Sequence, residues 1–483
     1  MSVATSRAGL EPLAPGIQRP PPLGPRERIE LLCDPGSVQV IRSTVESRRI
    51  GARAQPGDGV VAAAAAVDGR PVFCFAQDGC FVGGSLGEAH AETIVRVLSL
   101  ARDARVPVVS FVESAGARVQ EATAALGGYG RIFRETVALS HHVPQISIIS
   151  GTSAGGGSYA PALTDFIVMT RDATMFLTGP GVVRAATGES VGAAELGGAA
   201  VHSRNGVCQF VAPTEADAAV LTRELLSYLP QNTSEAPPGA EPREPLDDNP
   251  GAHVPRETRK VYDVRDVARA IVDGGRLLEV APRWARNVVT AFARIDGRSI
   301  GIVANQPRHL GGVLDSAASR KAARFVSTCD RFNVPLVVLV DTPGFLPGTR
   351  QERSGVIWHG SELLRAFGGA SVLRLTVVLR QAYGGAYITM NSKDLGADYA
   401  FAWPRARVGI MAAAHAVGII NRREIAAAPD PVARQLELSE RYAAEHLSAH
   451  AVAREGFVDE VIAPHETRAR LAAALRTFGG KRP

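Results

Sequence analysis

Hydrophobic and polar positions along this chain follow one plan twice. DGVVAAAAAVDGRPVFCFAQD (58–78) reads as two strands about Asp68-Gly69, a dipeptide that tolerates the positive φ of a tight hairpin turn. AETIVRVLSLARDAR (91–105) spaces its apolar residues three and four apart, which predicts an amphipathic helix over 88–104. The continuous apolar run that follows predicts a buried strand at 106–112. Helices at 119–140 and 156–163 alternate with strands at 145–150, 166–170 and 174–178. FARIDGRSIGIVANQP (292–307) then repeats the hairpin about Asp296-Gly297, and SRKAARFVSTCDRF (319–332) repeats the helix. Strands that alternate with helices of ten or more residues predict an α/β layered fold with crossover connections.

The repeat is closest at two strand ends. VPVVSFVESAG (106–116) leads to the turn SAGGGSY (153–159), and VPLVVLVDTPG (334–344) leads to AYGGAY (382–387). Tyr159 follows Val106 at the same distance as Tyr387 follows Val334. Residues 1–24 are proline-rich and read as a flexible arm, followed by a short helix, RERIELL, that Asp34-Pro35-Gly36 stops. Residues 230–255 are rich in proline and poor in apolar residues, and read as a linker. That predicts one domain over 25–229 and a second over 256–483.

Composition removes several function classes. Five cysteines (33, 74, 80, 208 and 329) show no CxxC spacing and make an odd number, against a disulfide framework or a metal knuckle. A net charge of +5 is spread along 483 residues with no basic run interleaved with aromatics, so no nucleic-acid partner is expected. Arginine supplies nearly all the positive charge, which suits a polyanionic small ligand such as a nucleotide or coenzyme A. No apolar stretch approaches the roughly 18 residues of a membrane span. No export or organelle leader is read at the N-terminus, and the expected location is the cytoplasm.

The chemistry therefore falls to the turns. Glycine lets backbone approach a ligand closely, and the N–H groups at a helix start lack intrahelical partners. Gly155 and Gly156 in one turn, and Gly385 and Ala386 in the other, are the candidate donors to a developing oxyanion. Ala115-Gly116 and Gly344-Phe345 are the supporting turns. Gly151-Thr152-Ser153-Ala154-Gly155 also matches the GxSxG nucleophile elbow, with Asp165 and His202 downstream in hydrolase order. A second glycine turn with Tyr383 in the nucleophile's place argues against that reading. There is no P-loop, no dinucleotide fingerprint and no metal-spaced Cys/His set.

RERIELLCDPGS, FVGGSLGE, GARVQE, SYAPALTDFIVM, TGPGVV, GIVANQP, DTPGFLPGT, AYGGAYITM and GADYAFAWP occur in that order. Together they resemble the carboxyltransferase (β) subunits of biotin-dependent acyl-CoA carboxylases, from about Arg26 to Val461. The resemblance implies two tandem crotonase-like β-β-α superhelix domains. It implies a hexamer, homomeric or mixed, with each site between the N-terminal domain of one subunit and the C-terminal domain of another. It implies carboxyl transfer from carboxybiotin to acetyl-CoA or propionyl-CoA, giving malonyl-CoA or methylmalonyl-CoA, with the biotin ureido nitrogen taking the α-proton. Gly155-Gly156 and Gly385-Ala386 match the family's two oxyanion holes, one for the thioester enolate and one for the ureido oxygen. Ala115, Gly116, Ala117, Arg118, Gly344, Phe345, Tyr387 and Ile388 fall at substrate-binding positions. Ile388 stands where an apolar residue resembles subunits accepting acetyl-CoA as well as propionyl-CoA.

None of the four lysines lies in a Met-Lys-Met context, so the biotin carrier is expected on a partner α subunit that also uses ATP and bicarbonate. Trp358-His359-Gly360-Ser361-Glu362 departs from the family's basic run there, and Gln381 replaces its basic residue before the second turn. Those departures bear on substrate choice and leave as an alternative a weakly active or non-catalytic β-type subunit in a mixed complex; a decarboxylase subunit running the same half-reaction backward is the other alternative.

Overall fold

The computed structural model describes residues 23–257 and 260–479; the arm expected over 1–24 lies almost wholly outside them. Each half is built on an eight-stranded sheet, and the strand order is the same in both. In the first the order is Gln39–Ile41, Val60–Val67, Arg70–Gln77, Val108–Ser114, Gln145–Ala154, Phe166–Thr170 and Phe210–Ala212. In the second it is Leu278–Val280, Val288–Ile295, Arg298–Asn305, Leu336–Thr342, Arg374–Tyr383, Tyr399–Ala402 and Glu460–Val461. Pairing is antiparallel through the hairpins and parallel beyond them.

The hairpin turns are where the local sequence acts most directly. Asp68 and Gly69 have φ of 50° and 75°, and Asp296 and Gly297 have 52° and 72°. Each turn is held the same way. The Asp34 carboxylate accepts the N–H groups of Asp68 and Gly69 at 3.0 and 2.7 Å, and Asp273 accepts those of Asp296 and Gly297 at 3.1 and 2.8 Å. Arg223 backs Asp34 at 2.8 Å, and Arg468 backs Asp273 at 2.7 Å.

The amphipathic runs form Glu88–Ala104 and Ser316–Arg331. The first buries Ile94, Val97, Leu98 and Ala101, and the second buries Ala318, Ala322, Phe325, Val326 and Cys329. Asp315 caps the second by accepting the Ala318 N–H at 2.8 Å. The helix expected over 119–140 starts instead at Thr123, because Ala122 takes a φ of 46° after a single 3₁₀ turn at Val119–Glu121. Phe292 joins the halves, edge-on to Phe166 at 5.9 Å and stacked on Tyr228 at 5.9 Å. Residues 230–255 touch both halves: the Thr233 N–H donates to the His142 carbonyl and the Ala240 N–H to the Gly297 carbonyl, each at 2.9 Å.

Lys321, on the helix Ser316–Arg331, is buried and donates to the Trp284 and Val288 carbonyls at 3.0 and 2.7 Å. Burial lowers it to about 8. Above that pH the unfolded chain holds a proton that the folded chain has lost, so stability rises with pH until the ordinary lysine value of 10.5 is reached. In urea titrations at about pH 7.5 and 9.5, this rise is expected in the native chain and absent in Lys321→Met. An identical pH slope in both would remove Lys321 as its source.

Candidate active site

Both turns arise from one feature of the sheets, a long central strand that outlasts its neighbours. Gln145–Ala154 pairs first with Phe166–Thr170 and then, beyond a fork, with Thr174–Phe176. Arg374–Tyr383 does the same with Tyr399–Ala402 and then Arg407–Gly409. Each strand ends in a glycine of positive φ, Gly155 at 58° and Gly384 at 60°, and a short helix follows.

Those two glycines put the copies one residue out of step with the Tyr159–Tyr387 spacing. Gly156 corresponds to Gly385, Gly157 to Ala386, and Tyr159 to Ile388. The Gly155 N–H completes the ladder by donating to the Phe176 carbonyl at 3.1 Å. Gly155 therefore shapes the first turn, and the leading helix amides belong to Gly156 and Gly157. In the second turn Gly385 is exposed and the Ala386 side chain is buried in the core.

The first turn rests on an aromatic floor. A Cβ on Gly156 would lie 2.8 Å from the Tyr129 ring, and one on Gly157 would lie 3.0 Å from Ser114 Cβ. The Tyr129 hydroxyl pairs with Ser114 Oγ at 3.0 Å, and Ser114 Oγ accepts the Gly116 N–H at 3.2 Å. Gly116 has φ of 105°, and with Ala117 it pairs parallel to Ser85-Leu86. Ala115 is exposed, its N–H given to the Gly84 carbonyl at 3.0 Å.

Arg118 does not reach the surface. It is fully buried, with Nη1 at 2.7 Å from Asp58 and 2.8 Å from Glu121 and Nη2 at 3.1 Å from the Ser85 carbonyl. Burial pushes Asp58 up while Arg118 pulls it down. The side chain is thus turned away from solvent, and its bond to the Ser85 carbonyl fastens the Gly116 loop from behind.

In the second turn Gly344 has φ of 138°, and the Phe345 ring lies between Gly385, whose Cβ would stand 3.8 Å away, and Gly360, whose Cβ would stand 3.3 Å away. The Tyr387 hydroxyl donates to the Phe457 carbonyl at 3.3 Å, and burial raises Tyr387 to about 12, so it is no acid or base near neutrality. Behind the turn, burial pushes Asp341 up to about 6 against the pull of Arg380, whose Nε lies 3.0 Å away. Glu113 at the matching strand end is paired with Arg28 at 2.8 Å. A largely apolar cavity of about 660 Å³ opens beside Gly384 and Gly385, walled by Ile388, Ile410, Leu447 and Phe457. Leu447 closes the π-helical segment Ala443–Leu447 and Phe457 follows the helix Ala449–Arg454, and neither carries a sequence signal.

The hydrolase triad is dismantled. Ser153 is fully buried, His202 Nε2 meets the Met175 carbonyl at 2.6 Å, and Asp165 is paired with Arg331 at 2.7 Å. What the two turns offer in common is a pair of leading amides on a rigid floor, which suits the stabilisation of developing negative charge on oxygen.

Comparisons with known proteins give the chain its relatives. Residues 23–481 match the model of the carboxyl transferase domain. The propionyl-CoA carboxylase carboxyltransferase subunit of Haloferax mediterranei is 48% identical over 466 residues, covering 95% of this chain and 90% of that one. A methylmalonyl-CoA decarboxylase α subunit of Veillonella parvula is 44% identical over 467 residues, with 95% and 90% covered. The crystal structure of transcarboxylase 12S, a hexamer described with methylmalonyl-coenzyme A and methylmalonic acid bound, superposes with a TM-score of 0.92 at 46% identity, with 95% and 90% covered. Its likeness carries the crotonase-type fold. Among the described residues no helix is long and apolar enough to cross a membrane.

Proposed function

The chain belongs to the carboxyl transferase domain family, and on that premise we propose that it moves the carboxyl group of carboxybiotin to the α-carbon of a short acyl-CoA. Propionyl-CoA is the first expected substrate and acetyl-CoA the second, giving methylmalonyl-CoA and malonyl-CoA. Biotin arrives on a partner α subunit, which uses ATP and bicarbonate to load it. Residues 25–229 and 256–483 are taken as the two carboxyltransferase domains, bridged by 230–255.

The observation that carries this reading is the duplicated turn. Transfer develops charge on two oxygens, the thioester carbonyl and the biotin ureido carbonyl, and each needs donors that are already aimed. Gly156, with Gly157 beside it, would form one hole, and Gly385 with Ala386 the other. Gly155, Ala115, Gly116, Ala117, Gly344, Phe345 and Tyr387 shape these holes, and Arg118 anchors the first from behind. The apolar cavity beside Gly385 suits an acyl chain or the biotin bicycle.

The surroundings of both turns support a composite site. Val119, Tyr159, Leu177 and Val182 are exposed around the first, and Ile388, Ile410, Ile419 and Ile420 around the second. Such apolar surface is expected to be covered in an assembly. A hexamer would bring the first turn of one subunit to the second turn of another.

The test mixes this chain with a biotinylated α subunit, bicarbonate and ATP, and screens short acyl-CoAs. A complex that carboxylates none of them would sink the reading and leave the non-catalytic β-type subunit. The decarboxylase relative gives a second reading, in which the same half-reaction runs from methylmalonyl-CoA; release of labelled carbon dioxide from that substrate would favour it. Ile388→Asp is expected to move the propionyl-to-acetyl ratio of kcat/KM by about tenfold or more, the low end of what a pocket methylene is worth. An unchanged ratio would remove Ile388 from acyl selection.

A further inference from the structure

A second sizeable groove lies away from both turns. A cavity of about 670 Å³ lies between the halves, within the size range of small-ligand sites. Its C-terminal wall is made by the helices Ser316–Arg331 and Val356–Gly369, and its other wall includes Ala162, Ile167 and Gly206. Arg320, Arg324 and Arg365 line it, with Trp284 and Trp358.

The carboxylates on the same lining are already engaged. Asp330 Oδ1 accepts the Ser371 N–H at 2.6 Å, the Ser371 hydroxyl at 3.0 Å and the Val372 N–H at 3.2 Å. Glu362 accepts Trp358 Nε1 at 3.1 Å and meets His359 Nδ1 at 3.2 Å. The nearby Asp165 is paired with Arg331 at 2.7 Å and also draws on the charge of Arg324, without an ion pair to it. None of the three lining arginines makes an ion pair or side-chain hydrogen bond with another described residue. Arg320 and Arg324 stand one helical turn apart, a like-charge spacing that destabilises a helix unless an anion lies between them.

The two indoles define the rest of the ligand. Trp358 is 67% exposed, and its ring is fixed at one edge by the bond to Glu362, so a face remains free. The Trp284 ring lies against Gly206, where a Cβ would stand 2.6 Å from it. Guanidiniums without ion-pair partners, beside one exposed and one half-buried indole, match a flat aromatic base joined to a phosphate chain.

We propose that this groove binds the adenosine-polyphosphate group, presented by a free adenine nucleotide or by the nucleotide end of coenzyme A. The base stacks on Trp358, and Arg320, Arg324 and Arg365 take the phosphates. The three guanidiniums stand on the same wall as Trp358, two on the neighbouring helix and Arg365 on its own. The site is separate from both turns, and its occupancy holds whichever acyl-CoA they accept.

The probe is the tryptophan emission of the full-length, assembled protein titrated with ADP. Trp403 is buried with its Nε1 bonded to Thr467 at 3.0 Å, so Trp284 and Trp358 report on the groove. The expected result is saturable quenching, with a Kd at least tenfold weaker in Arg320→Ala/Arg324→Ala and a smaller amplitude in Trp358→Phe. Parallel titrations with ADP and coenzyme A separate the two sources by which binds more tightly. No saturable quenching by either, or full affinity in the arginine double variant, would overturn the proposal. Equal quenching by inorganic pyrophosphate would overturn the stacking on Trp358. Circular dichroism of each variant separates lost binding from lost folding.

Discussion

Gly156→Pro is expected to lower kcat for carboxyl transfer by about 10²- to 10³-fold, the cost of one oxyanion donor at roughly 2.7–4 kcal/mol. Proline is tolerated at the first position of a helix, because that N–H has no intrahelical partner and φ is already near −65°. Gly156 opens the helix Gly156–Ala162, so the backbone accepts the substitution while the amide proton disappears. Any Cβ there also presses on the Tyr129 ring at 2.8 Å. Gly156→Ala carries the same crowding and keeps the donor. The ratio of kcat between the Ala and Pro variants therefore isolates the N–H, and rates measured with saturating acyl-CoA and carrier-borne carboxybiotin check it. Equal turnover in the two variants would show that the first hole does not use this amide.

The turn at Gly156 was partly legible in the sequence, and the reason it was not fully so is physical. Glycine clusters at the ends of apolar strands announce a close backbone approach, and their duplication announces a shared task. The sequence reading ends the strand at 150, whereas it runs on to Ala154 by pairing with Thr174–Phe176. That extra ladder takes up the Gly155 amide and moves the helix start forward by one residue. Strand forks depend on a partner some twenty residues away and leave no local periodicity. Hairpins at Asp68-Gly69 and Asp296-Gly297 were legible because two residues dictate the turn. The three arginines of the interdomain groove were not, since their shared environment exists only once the halves pack.

Arg118 shows the same limit and gives the largest stability prediction. GARVQE places a cation beside the first turn, where a charge on the substrate is the natural partner to expect. Folding instead brings Asp58 from the preceding hairpin and Glu121 from the next turn around it, all three side chains with no exposure. Asp58 also accepts the His90 N–H at 2.9 Å, and Glu121 accepts the Glu88 N–H at 2.6 Å, so neither carboxylate can turn away to solvent. Arg118→Met strands two buried carboxylates without their cation and is expected to cost about 3–5 kcal/mol. The loss should be largest near neutrality and shrink as pH falls, because protonation relieves the uncompensated charge. Removing all three charges, as Asp58→Asn/Arg118→Met/Glu121→Gln, should recover part of it, since the amides can still accept the His90 and Glu88 N–H groups. Urea midpoints of the single and triple variants at about pH 7.5 and 5 measure both effects. A single variant within about 1 kcal/mol of the native chain would mean that water reaches the cluster. In the single variant the Gly116 loop also loses the bond from Arg118 Nη2 to the Ser85 carbonyl. Below its melting range it should therefore show a raised KM, with kcat less affected, which separates a loosened loop from a lost oxyanion donor.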